Sequence, residues 1–146
     1  MSWLTVLIIL AALIIAGLAF YAGRLLYLLR QQRQRQAEAI AARNTKLLDS
    51  IHIIARAMLE EQCDFSEGAI RICNLLDHLH PHQPYQQTFP TLFTLFERVK
   101  DMPTHEARQA LSKTERRQQD RQRQGWEQEL ADGIRQEAEV LKDLRH

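Results

Sequence analysis

The sequence predicts an all-α protein: an N-terminal transmembrane helix that continues into a stalk, followed by a small bundle of about four helices. Three observations carry this. Residues 2–23 hold no charged side chain over 22 positions, roughly 33 Å of helix and enough to cross a bilayer core of about 30 Å. No glycine or proline interrupts residues 24–67. Beyond residue 47 apolar residues recur at i, i+3, i+4 and i+7, and period-2 alternation is found nowhere. The expected divisions are a transmembrane anchor over 1–30, a basic helical stalk over 31–46 and a cytoplasmic α-helical domain over 47–146.

The apolar segment is flanked by Trp3 at one end and by Tyr21 and Tyr27 at the other, the placement of interfacial anchors. Leu25, Leu26, Leu28 and Leu29 extend it past Arg24, which can snorkel, so the exit is expected near Leu29 or Arg30. Ala12 and Ala16, and Ala19 and Gly23, have small-xxx-small spacing, which permits close helix packing in lipid. A cleaved signal peptide is the competing reading. It needs a basic n-region and a shorter apolar run; Ala19-Phe20-Tyr21-Ala22 is also a poor cleavage match, so an uncleaved anchor is expected.

Charge is uneven although the net is only +1. Residues 24–46 carry six basic side chains (Arg24, Arg30, Arg33, Arg35, Arg43, Lys46) against Glu38. Basic residues beside a span favour the cytoplasmic side, so the expected orientation is N-terminus outside and helical domain in the cytoplasm. The bilayer is then the first partner, with anionic headgroups near Arg30, Arg33 and Arg35. Near-neutral net charge argues against nucleic acid. Residues 113–124 (KTERRQQDRQRQ) lack interleaved aromatics and read as a solvated helical face.

Residues 47–62 form the clearest amphipathic segment, with Leu47, Leu48, Ile51, Ile54, Ala55, Met58 and Leu59 on the core side and His52, Arg56 and Glu60 opposite. Asp64 and Glu67 have capping-box spacing, with Ser66 as the alternative cap of a second helix over about 66–80. Its apolar residues cover most of its circumference, so it should be the most buried element. Pro81 and Pro84 make a loop, and Pro90 suits the first turn of a third helix to about Asp101. Phe89, Leu92, Phe93, Phe96 and Val99 form its stripe, with the phenylalanines expected to dominate the core. Thr104 can cap the next helix, and Ser112-x-x-Glu115 is a capping box opening the last one. Its stripe is Trp126, Leu130, Ile134, Ala138 and Leu141, with Leu144 beyond; Gly125 and Gly133 each weaken it by about 1 kcal/mol relative to Ala.

No phosphate loop, G-x-S-x-G, H-E-x-x-H or CxxC occurs. His78, His80 and His82 invite a metal reading, as do Cys73, Asp77 and His80 at i, i+4, i+7; His78 and His80 point apart on a helix, His82 follows Pro81, and no metal or cofactor is expected. Cys63 and Cys73 should be free thiols in a reducing cytoplasm. The polar residues singled out are Gln62, Asp64, Glu67, Arg71, Asp77, His105, Arg108, Asp120, Arg123 and Glu127. Glu67 and Arg71 can pair at i, i+4, and Asp120, Arg123 and Glu127 share one helical face. They are expected either as inter-helix salt bridges, with Arg71 as a partly buried partner, or as a polar docking patch. No catalytic residue is assigned.

The run Gln62 to Arg71 (QCDFSEGAIR), then Leu75-Leu76-Asp77, Met102-Pro103 and the Asp120/Arg123/Glu127 spacing, resembles an uncharacterised proteobacterial domain-of-unknown-function family. The resemblance implies a short single-pass protein of the bacterial inner membrane, N-terminus outside, with a cytoplasmic helical domain, and implies no activity. The function expected is non-enzymatic: an interaction, tethering or assembly factor for an unidentified protein partner. An accessory subunit of a membrane enzyme or transporter complex is the alternative, a metal-dependent enzyme the remote one, and homo-oligomerisation through the stem is open.

Overall fold

The computed structural model describes residues 2–146 and is all-helical. Helix α1 (Trp3–Leu59) is followed by α2 (Phe65–Asp77), α3 (Tyr85–Thr88), α4 (Pro90–Val99), α5 (His105–Gln109) and α6 (Lys113–Leu141). The chain divides into two compact units, Met1–Ala42 and Arg43–His146.

The first unit is α1 without a core. Among the described residues its large apolar side chains are all exposed, from Leu25 at 43% to Trp3 at 81%. This stretch is long and apolar enough to cross a membrane by length and composition. The helix does not stop at Gly23 or Leu29, since good helix formers fill the positions that follow and nothing breaks them.

The second unit contains the core. The C-terminal part of α1 buries Ile51, Ala55 and Met58, with Leu47, Leu48 and Ile54 partly covered, as the periodicity predicts. His52 departs from expectation: it is half-buried, and its Nε2 lies 2.8 Å from the Leu144 carbonyl oxygen. Asn44 pairs its side-chain amide with both backbone groups of His80, tying α1 to the loop after α2. Glu61 ends α1 with φ 58°, the left-handed residue of a Schellman closure: Gln62 N–H donates to Ala57 O at 2.8 Å and Glu61 N–H to Met58 O at 3.3 Å. Glycine usually occupies such a position, because a Cβ there costs on the order of 1 kcal/mol.

Helix α2 buries Ala69, Ile72, Cys73 and Leu76, whereas Ile70 and Leu75 stay half-buried. Gly68 lies against Met58, where a Cβ would meet the Met58 Sδ. In α4 the buried residues are Leu92, Leu95 and Val99, with Phe89 just before it. Phe93 and Phe96 are only half-buried, so the aliphatic residues and Phe89 carry the centre rather than the phenylalanine trio. Helix α3 falls where no element was expected and buries Tyr85, whose hydroxyl lies 2.6 Å from His146 Nδ1.

Helix α6 closes the unit with Ile134, Ala138 and Leu141 buried. Its Ser112–Glu115 capping box is formed in both directions. Gly133 is more than a weak point: a Cβ there would sit 2.7 Å from Thr91 Oγ1, so glycine lets α4 approach α6. The same helix caps two neighbours in trans. Glu137 accepts N–H bonds from Thr91 (2.8 Å) and Leu92 (2.7 Å) in the first turn of α4. Glu127 accepts from the Ser66 N–H (3.3 Å) and hydroxyl (2.5 Å) at the start of α2. These carboxylates replace local caps, since neither Asp64 nor Phe89 caps through its side chain.

Candidate functional site

A cleft of about 460 Å³ opens beside α2, α5 and α6. Its apolar wall comes from Ile70 on α2, Val99 at the end of α4 and Met102-Pro103 after it. Met102-Pro103 stops α4 because proline cannot supply the N–H that another turn needs. Its polar lining is Glu67, Arg71, His105, Arg108, Asp120 and Arg123, with Ser66, Thr104 and Gln119 between them.

Six of the ten polar residues singled out in the sequence therefore share one site, and Glu127 borders it through Ser66. The other three do not. Gln62 serves the turn through its backbone and is exposed. Asp64 precedes α2 and lines a separate shallow depression with Glu127, Cys63 and Arg135. Asp77, at the far end of α2, faces another depression with His82 and Tyr85.

The electrostatics of the cleft are graded. Arg108 grips Asp120 as a fork, Nη1 to Oδ1 and Nη2 to Oδ2 at 2.9 Å each, joining α5 to α6. That guanidinium holds the Asp120 carboxyl below the usual carboxylate range, while Asp120 pushes the Arg108 pKa up. Glu67 and Arg71 pair along α2 at 2.5 Å, both more than half exposed. Arg71 is therefore a rim residue in a local pair and not the half-buried inter-helix partner expected. An exposed i, i+4 pair of this kind contributes only about 0.5 kcal/mol.

Arg123 is different. It lies between Asp120 and Glu127 on α6, but its closest carboxylate oxygens are 3.8 and 3.9 Å away, and its Nε is buried without a hydrogen-bond partner. Asp120 already accepts from Arg108, and Glu127 from Ser66, and Arg123 stays within ion-pair distance of both without hydrogen-bonding either. His105, which opens α5 at the mouth of the cleft, adopts φ 48° without being glycine, a conformation costing on the order of 1 kcal/mol.

Sequence reasoning missed Ser66 as a partner for Glu127, and missed Glu137 altogether. Glu137 lies beside Ala138 in the buried stripe of α6, and an acid against such a stripe is the signal that could have found it.

Among the described residues no group of three or more His, Cys, Asp and Glu side chains gathers as a metal site would require. Cys73 is buried in the core, where burial pushes its thiol pKa up, while His80 and His82 stack edge-to-face at 4.7 Å on the surface. Cys63 is free and half-buried, its thiol also raised by burial and then by Glu67.

Comparison with known proteins places this architecture in a family. An uncharacterized protein of Haemophilus influenzae is 38% identical over 141 residues, covering 97% of this chain and 93% of that protein. No solved structure matches. The family described as "Protein of unknown function (DUF2489)" matches residues 15–141, which take in the second half of the apolar stretch and all of the cleft, so the chain belongs to the DUF2489 family.

Proposed function

We propose that this protein is a single-pass inner-membrane anchor that presents its helical unit in the cytoplasm as a non-enzymatic docking module for another protein. The observation that carries this reading is the first part of α1, an apolar surface exposed on every side. Such a surface needs a cover, and hydrocarbon is the cover that fits an uncharged helix of this length. The arginines that follow favour a cytoplasmic exit, and Arg30, Arg33 and Arg35 are exposed at the level of anionic headgroups, at about 1 kcal/mol each. The cleft of the second unit supplies a recognition surface, apolar inside and charged at the rim.

Proximity labelling from the C-terminus in native membranes tests this, alongside a chain whose residues 2–29 are replaced by an unrelated apolar helix. A partner that is labelled by both chains, and that leaves the membrane fraction when the span is deleted, supports docking. Absence of any specific partner and of self-association refutes it. The alternative, an accessory subunit that packs through its span, is favoured by Gly17 and Gly23, which have open space around them. It predicts that the replaced span loses the partner.

A further inference from the structure

We infer that residues 142–146, the segment after α6, form a strap that opens and closes together with α3 as one unit, on a body that stays folded. Helix α3 has four residues, too few to hold a helix unaided, and of Tyr85–Thr88 only Tyr85 is buried. The strap leaves α6 in a tight turn, with Asp143 N–H donating to Val140 O at 3.3 Å and Leu144 N–H to Leu141 O at 3.2 Å. Asp143, Arg145 and His146 are exposed, and the strap's apolar hold on the core is Leu144, which is half-buried.

Two side-chain hydrogen bonds fasten the strap. His52 Nε2–H donates to the Leu144 carbonyl oxygen at 2.8 Å; a carbonyl only accepts, so that nitrogen carries a proton. Two residues on, His146 Nδ1 and the Tyr85 hydroxyl bond at 2.6 Å, with their rings tilted and 6.2 Å apart. The connection therefore runs from α1 through the strap to α3: His52 holds the strap, and the strap holds Tyr85. Among the described residues His52 makes no hydrogen bond to α3 itself. The chain is pinned on either side of α3. Asn44 grips both backbone groups of His80, and Phe89 is buried where α4 begins. Between those pins Tyr85 is the one buried side chain, and its hydroxyl ends on the strap. Each segment buries one side chain on the core and completes its polar contacts on the other, so neither closes fully alone. Segments with so few buried contacts open without the body.

Hydrogen-exchange mass spectrometry of the full chain in lipid nanodiscs reads the amides of 81–89 and of 142–146 separately, with those of α4 as the reference for the body. Two variants each delete one fastening group and keep a ring in its place: His52→Phe and Tyr85→Phe. Each should speed exchange in both segments by about fivefold, the factor that one ordinary hydrogen bond supplies. The double variant should reach about 25-fold in both, because the two bonds are lost in one opening. The α4 amides from Leu95 to Val99 should keep their rates. Glu129→Gln, which breaks a surface pair with Arg98, should leave both segments as they are. The decisive reading is His52→Phe on 81–89, a segment that His52 reaches only through the strap. If that variant speeds 142–146 and leaves 81–89 unchanged, the segments open separately and the inference is overturned. It is overturned equally if neither variant speeds either segment, or if α4 quickens in step, since the whole unit then opens. Should His52→Phe fail to fold, Leu144→Ala loosens the strap from the core instead; it must also speed 81–89, and no change there overturns the inference.

Discussion

Replacing Glu137 removes the cap that α6 provides to α4. Its two carboxylate oxygens accept from Thr91 N–H at 2.8 Å and Leu92 N–H at 2.7 Å, in a first turn whose only local asset is Pro90, which needs no partner. Leu92 is fully buried and Thr91 half-buried, so water replaces the lost acceptor at one amide far more readily than at the other. An unsatisfied buried amide costs about 1–3 kcal/mol, and loss of a negative charge at a helix N-terminus adds up to about 1 kcal/mol. Glu137→Ala should therefore destabilise the unit by about 3 kcal/mol, a large part of a typical total of about 5–15 kcal/mol. Glu137→Gln keeps one acceptor oxygen and should cost about half as much. Glu129→Gln is the reference: it breaks the surface pair with Arg98, 3.0 Å long and 59% exposed at Glu129, for less than about 1 kcal/mol. Urea unfolding of the full chain in nanodiscs, followed by Trp126 fluorescence in a Trp3→Phe background, measures all three. If Glu137→Ala lies within about 0.5 kcal/mol of Glu129→Gln, trans-capping by α6 is not what secures the start of α4.

Two glycines of α6 should respond with opposite signs. Gly125→Ala meets open space and should stabilise by about 0.5–1 kcal/mol through helix propensity, whereas Gly133→Ala drives a Cβ against Thr91 and should destabilise by about 1 kcal/mol net, both readable in the same unfolding assay. The Arg108–Asp120 pair gives a pH signature: because the folded Asp120 pKa is depressed, its contribution is fully present above the ordinary carboxylate range and is lost as pH falls through the lowered value, which an NMR titration of the Asp120 carboxyl should show, and which Arg108→Gln should abolish. Maleimide should label Cys63 in the folded chain and spare Cys73, which is 2% exposed with a raised thiol pKa; equal labelling rates without denaturant would contradict the burial of α2.

Helix existence was largely legible because it is a local property. The stripe Ile51, Ala55, Met58 and the Ser112–Glu115 box are each written within a few residues, and both are found as read. The candidate site was legible by residue more than by partner. Glu67–Arg71 pairing followed from i, i+4 spacing, but Arg108–Asp120 and Ser66–Glu127 join helices that sequence alone does not bring together. Arg71 was misjudged for the same reason: the α2 face on which it sits is set by how α4 and α6 cover the others.

By itself the sequence determined the elements: an uncharged, predominantly apolar stretch, a helix that runs on because nothing breaks it, and amphipathic segments whose stripes require a shared core. Those are consequences of backbone geometry and of apolar patterning over one or two turns. Only the tertiary structure decided which carboxylate caps which helix, why Gly133 rather than Gly125 must be glycine, and which of three arginines is left without a hydrogen-bonded partner in the cleft. Each depends on distances between residues tens of positions apart, and a hydrogen bond or a steric contact is made or lost within a fraction of an ångström.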